Sequence, residues 1–170
     1  ELRVCAALCN DSREYQGDGI DVALAQWLQS DFLPLRETHE RLYLHPFDPI
    51  TRMMGTINRV ENSEKLYLKG AYEALLAQAC NTESELKNLQ ETHDKMASEG
   101  LRVLAFGVSD HHWEDPTNAP IMIVGLIAFA DRPKPEAAAA IALAKRSGIR
   151  LIMITGDNPI TAEAIAEEVG

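Results

Sequence analysis

Basic residues are scarce in this chain: 16 Lys and Arg stand against 26 Asp and Glu, a formal net charge of −10. That balance argues against a nucleic-acid surface, which needs a basic patch. No basic amphipathic stretch points to a membrane surface either. Cysteine is equally sparse. Cys5, Cys9 and Cys80 are odd in number and lack CxxC spacing, so neither a disulfide frame nor a zinc site follows, and they read as small buried hydrophobes in a reduced compartment. No stretch reads as a signal peptide, and no apolar run approaches the roughly 20 residues that cross a bilayer. The longest run, 121–130, reads as a core strand. With 170 residues, 46% hydrophobic and 25% charged, the chain is expected to be soluble and cytosolic, with one ordinary domain or two small ones.

What is present divides in two. Residues 1–9, "ELRVCAALC", have helical apolar spacing, and a second helix is expected over 20–29 with Val22, Ala23, Leu24, Trp27 and Leu28 as its stripe. After a break near Pro34 come a strand around Leu42, a turn at 47–51, and strands over 53–60 and 65–68 joined by the hairpin loop "ENSE". A helix over 71–79 is entered through Lys69-Gly70. A polar helix over 83–98 stops before Gly100, and "LRVLAFGVSD" is a further strand. The loop "HHWEDPTNAP" follows. Its His111, His112, Glu114 and Asp115 repeat no ligand spacing and read as a solvated loop, not a metal site.

Beyond Pro120 the composition changes. "IMIVGLIAFADRPKPEAAAAIALAKRSGIRLIMITGDNP" has the order strand, Pro-marked turn, helix, Gly stop, strand of a βαβ unit. A domain boundary is therefore expected near Pro120, with 1–120 an α+β domain built on an antiparallel sheet flanked by helices, and 121–170 an α/β piece. Residues 149–154 read as a buried strand. "TGDN" at its carboxyl end leads into a helix with Pro159 in its first turn and Asn158 as cap, the place where open α/β sheets carry their chemistry. Two strands and two helices cannot cover both faces of such strands. The second piece is thus expected to be incomplete, with an apolar sheet edge prone to self-association or disorder beyond about residue 120.

Seven segments, in order, resemble the cytoplasmic region of P-type cation-transporting ATPases, of the calcium or sodium/potassium pump kind. They are "AALCNDS" (6–12), "GDGIDVAL" (17–24), "PFDPITRMM" (46–54), "KGAYEALLAQAC" (69–80), "GLRVLAF" (100–106), "DRPKPEA" (131–137) and "GIRLIMITGDNPITAEAIA" (148–166). The resemblance implies a nucleotide-binding domain over 1–120 and part of a haloacid-dehalogenase-like phosphorylation domain over 121–170. ATP is then the ligand, with Mg²⁺ in the full-length parent. Phe47 would stack on the adenine, with Asp21, where the family has Glu, facing its amino group. Lys69 would supply charge toward the phosphates or line the adenine cleft beside Gly70 and Ala71, and Arg52 and Arg102 would reach the phosphate chain. Asp131 and Lys134 take the hinge positions near the ribose. Thr155, Gly156 and Asp157 take those around the transferred phosphoryl group. Tyr72 departs from the Pro of the family's KGAPE segment.

The family's DKTGT nucleophile motif, its GDGxND motif and its TGES loop are not in this sequence. Phosphoryl transfer needs in-line positioning and charge stabilisation. The expectation is therefore a fragment that binds ATP without turning it over, from the cytoplasmic side of a membrane transporter, whose partners are ATP and the parent's other domains. Two alternatives stand beside it: a haloacid-dehalogenase-type phosphatase, for which no DxD motif is present, and a non-catalytic nucleotide-binding or interaction domain.

Overall fold

The computed structural model describes residues 1–13, 16–110, 116–130, 133–156 and 158–170. Three helices open the chain: α1 (Leu2–Leu8), α2 (Gly19–Leu28) and α3 (Phe32–Thr38). Asp18 caps α2, accepting from the Ile20 amide at 2.9 Å. The third helix runs through the break expected near Pro34, because proline is tolerated in a first helical turn, where its missing N–H would have no partner.

Five strands form one sheet in the order β1 (Arg41–Asp48), β2 (Met53–Val60), β3 (Ser63–Ala71), β4 (Arg102–Ser109) and β5 (Met122–Phe129). The first four pair antiparallel, so the antiparallel sheet is present. The expected four-residue hairpin loop is only Glu61-Asn62, since Val60 pairs with Ser63 and Glu61 supplies the positive φ of 54°. Between β3 and β4 lie α4 (Tyr72–Leu76), shorter than the 71–79 expected, and α5 (Glu83–Ser98). A reciprocal cap starts α5: the Thr82 amide donates to Glu85 Oε2 at 2.9 Å and the Glu85 amide to Thr82 Oγ1 at 3.4 Å.

The chain separates into two compact units, 1–86 with 104–127, and 87–103 with 128–170. In the first, α1 lies on the sheet through small side chains. Cys5, Ala6, Ala7, Leu8 and Cys9 are buried, and the thiols of Cys5 and Cys9 donate to the carbonyls of Leu68, Gly107 and Met54. Cys80 departs from the buried-hydrophobe reading: it is exposed after α4, with its thiol on the Ile121 carbonyl at 3.1 Å. The sheet also runs past the boundary expected near Pro120, because β5 joins it. Asn81 secures the start of β5, its amide donating to the Ile123 carbonyl at 3.1 Å and its oxygen accepting from the Ile123 amide at 2.7 Å.

In the second unit, α6 (Ala137–Arg146) and α7 (Pro159–Val169) pack together. Pro159 stands in the first turn of α7 and Asn158 caps it at 2.9 Å, as the residues imply. The Thr161 hydroxyl donates to the Leu101 carbonyl at 3.1 Å. The buried strand expected over 149–154 is not formed. These residues carry no strand pairing and are exposed, Ile152 by 71% and Ile154 by 92%. A parallel strand is held by neighbours on both edges and cover on both faces, and the described residues supply none of these to 149–154.

Candidate functional site

The register of the sheet gathers several of the expected residues. Met54 of β2 pairs with Lys69 of β3, and Lys69 with Phe106 of β4, so these three share one face. Met53, Gly70 and Ala105 share the other. On β1, His45 opposes Gly55 and Asp48 opposes Met53, so Pro46 and Phe47 together face Met54 across a bulge. Phe47 lies within β1, not in the turn expected at 47–51, and is 60% exposed. The turn after it is folded by Asp48, whose carboxylate accepts from the Ile50 amide at 2.9 Å and whose carbonyl accepts from the Arg52 amide at 2.7 Å.

Arg52 closes that turn with φ of 57°, and its carbonyl accepts from the Ala71 amide at 3.1 Å. Gly70 follows from this contact. A Cβ there would meet the Arg52 carbonyl at 2.5 Å, Met53 Cγ at 3.0 Å and Leu75 Cδ1 at 3.1 Å, so no other residue fits without moving backbone. The Arg52 side chain is half-exposed, with its nearest acid, Glu73, at 4.0 Å.

At the centre, Lys69 Nζ donates to Asp21 Oδ1 in an ion pair whose members are 7% and 5% exposed. The second carboxylate oxygen of Asp21 accepts from the Asp11 amide at 2.8 Å, and the Asp21 carbonyl accepts from the Asn10 side chain at 2.8 Å. Asn10 is itself spanned by Ser12, whose amide and hydroxyl both donate to its oxygen. Burial pushes the Lys69 amine below its ordinary value, against the opposing pull of Cys9, Asp18, Cys5 and Asp11. Burial likewise raises the Cys9 thiol to about 11, with Lys69 and Arg41 drawing it back. Two charges in so dry a place must be paired and hydrogen-bonded to persist, and here both conditions are met.

Asp21, Phe47, Arg52, Lys69, Gly70 and Ala71 thus lie on adjoining elements of the first unit. Among them Lys69 and Asp21 face each other instead of open solvent. Arg102, which opens β4, and Lys134, Thr155 and Gly156 belong to the second unit. Lys134, Thr155 and Gly156 are exposed there. Asp131 and Asp157 lie outside the described residues, as do His111, His112, Glu114 and Asp115. Asn10, Asp11 and Arg41 are not among the site residues expected from the sequence, although "AALCNDS" (6–12) contains the first two. Nothing local marks Asp11 and Asp21 as neighbours, or ties Arg41 to either. Among the described residues, no helix is long and apolar enough to cross a membrane.

The chain belongs to the family described as P-type ATPase, cytoplasmic domain N, which matches residues 1–136. It is 32% identical over 183 residues to a probable cation-transporting P-type ATPase of Mycoplasma genitalium, covering 100% of this chain and 21% of that protein. With calcium-transporting ATPase 1 of Lactococcus lactis it shares 35% identity over 189 residues, 96% of this chain and 21% of the relative. With the Saccharomyces cerevisiae protein of that name it shares 32% over 189 residues, 96% and 20%. The chain therefore spans about a fifth of the length of these relatives.

Proposed function

We propose that this chain is the ATP-binding module of an ion-translocating ATPase, with residues beyond the sheet forming part of its haloacid-dehalogenase-like phosphorylation domain. In the whole protein it would present the terminal phosphate of ATP to an aspartate outside this sequence. The observation that carries the reading is the sheet register, which brings Phe47 of β1, Arg52 of the following turn and Lys69 and Gly70 of β3 to neighbouring positions along Met53 and Met54 of β2.

The roles follow from position. Phe47 offers an exposed ring on which a base stacks, an interaction of about 1–3 kcal/mol. Arg52, half-exposed at the turn, is placed to meet phosphate oxygens. Lys69, buried and neutralised by Asp21, would offer the adenine end of the cleft a fixed dipole, a better partner for a neutral base than a bare ammonium. Gly70 lets β3 press against the Arg52 carbonyl and so fixes the turn that carries Arg52, and Gly70 and Ala71 are proposed as the backbone bordering the ligand. Arg102, Asp131, Lys134, Thr155, Gly156 and Asp157 are proposed to act from the phosphorylation side. Mg²⁺ travels with the nucleotide in the whole protein, and Asp157 is the residue proposed near it. Among the described residues no group of three His, Cys, Asp or Glu stands together to hold a metal.

The supporting context is the family membership and the names of the relatives, which are cation- and calcium-transporting ATPases. The test is calorimetric titration of ATP into this chain, with and without Mg²⁺, repeated on Phe47→Ala and Arg52→Gln. Phe47 is 60% exposed and the Arg52 side chain 48%, so their loss spares the fold. Binding that each change weakens supports the site; binding indifferent to both refutes it.

A further inference from the structure

Arg41, the first residue of β1, makes contacts that its place at a strand end does not require. Its guanidinium donates through Nη2 to the carbonyls of Leu8, at 2.9 Å, and Asn10. Through Nη1 it donates to Asp11 Oδ1 at 3.0 Å. The side chain is only 23% exposed. These acceptors are the end of α1 and the turn that follows it. Leu8 offers a carbonyl at a helix C-terminus, where such groups lack partners within the helix and a cation is favourable.

That turn is also what holds Asp21. The Asp11 amide is the second hydrogen-bond donor on the Asp21 carboxylate, and Asn10 grips the Asp21 carbonyl. Asp21 in turn is the counter-ion of Lys69. A continuous chain of short contacts thus runs from Arg41 through Asp11 and Asp21 to Lys69, within one compact unit. We propose that Arg41 is a positioning residue for the nucleotide site. By locking residues 8–11 to the start of β1, it keeps the Asp11 amide on Asp21 and so keeps Asp21 on Lys69.

Only a guanidinium suits this task. Its planar fork has five N–H donors and reaches three acceptors in different directions at once, whereas an ammonium on a flexible stem acts as a point charge. Arg36 secures the far side of the same turn, donating to the Ser12 carbonyl at 2.8 Å, and feels the Asp11 charge without a described hydrogen bond to Asp11 or Asp21. The groups facing Lys69 are Asp21 of α2 and Cys5 and Cys9 of α1, with Asp11 and Asp18 nearby. Of these, Asp11 is the one that Arg41 holds directly.

The inference rests on the nucleotide reading for its purpose, but its test does not need nucleotide. Lys69 is labelled with a water-soluble acylating reagent at fixed pH and quantified by mass spectrometry against Lys87, whose side chain is 77% exposed. Maleimide labelling of the buried Cys5 reports global opening. Arg41→Ala is expected to raise Lys69 labelling about tenfold, the ratio that roughly 1.4 kcal/mol of lost local protection produces, with Cys5 still protected. Arg41→Lys should give a smaller rise, of about threefold, and decides the matter if Arg41→Ala does not fold. Arg59→Ala, which removes the exposed 2.5 Å pair with Glu40 in the same sheet, should leave labelling unchanged. Unchanged Lys69 labelling in the folded Arg41 variants, or Lys69 and Cys5 rising together, overturns the proposal. A parallel ATP titration of the same proteins separates the two claims: absent binding in the wild type refutes the nucleotide reading, while the labelling result still decides the role of Arg41.

Discussion

Breaking the Lys69–Asp21 pair from either side should cost far more than removing both charges together. Each partner is more than nine-tenths buried. Lys69→Met strands the Asp21 carboxylate with the Asp11 amide as its remaining described donor, and a lone buried charge costs about 3–5 kcal/mol. Asp21→Asn leaves the amine stranded instead. Burial already holds that amine below its ordinary value, so it sheds its proton more readily and the cost should be smaller, about 2–3 kcal/mol. The double variant Asp21→Leu/Lys69→Met replaces both charges by apolar groups and should lose no more than about 1–2 kcal/mol. Urea unfolding of the four proteins at neutral pH gives the cycle. The pH dependence follows with its sign. A lysine with a lowered folded value is matched by an unfolded state that binds more protons between that value and 10.5, so stability rises with pH across that window. The rise should be steepest in Asp21→Asn and absent in Lys69→Met. Single variants each costing under about 1 kcal/mol, with additive effects in the double, would show that the pair is solvated and would refute the reasoning.

Further outcomes follow from the same contacts. Gly70→Ala should destabilise by about 1–3 kcal/mol in a melting experiment, because its methyl would stand 2.5 Å from the Arg52 carbonyl. Thiol labelling of the native chain should modify Cys80 at once and spare Cys5 and Cys9. With the Cys9 thiol raised to about 11, the unfolded chain loses that proton first, so Cys9 alone contributes a fall in stability as pH climbs through roughly 9 to 11, opposite in sign to the Lys69 contribution, and Cys9→Ala should remove that component of the urea-unfolding pH profile. The exposed apolar residues of 149–154 should drive self-association of the isolated chain, and Ile152→Glu with Ile154→Glu should reduce its mass in light scattering; a monomer before and after the changes would contradict this.

Most elements were legible because their signals are local. Asp18 before an apolar stripe and Asn158 before Pro159 each announce a helix through the capping they perform, whereas the reciprocal cap of Thr82 and Glu85 emerged only from the structure. Pro34 misled because the same residue breaks a helix interior and suits a first turn. Residues 149–154 misled for a deeper reason: β-branched composition states a preference, and pairing must come from a neighbouring strand. The site was half visible. Phe47, Lys69 and Gly70 carry recognisable motifs, whereas the pairing of Asp21 with Lys69 spans 48 residues of sequence, and Arg41 at a strand start looks like any surface arginine until α1 is laid against it.

The central claim is that nucleotide binds beside the Lys69–Asp21 pair and the Phe47 ring. Its most direct measurement is an ATP titration followed on the backbone amide resonances of the ¹⁵N-labelled chain. The largest shifts are expected on Phe47, Arg52, Lys69, Gly70 and Ala71, with Asp11 and Asp21 moving alongside and β5 unmoved. Shifts centred elsewhere, or none at millimolar ATP in a folded sample, would contradict it.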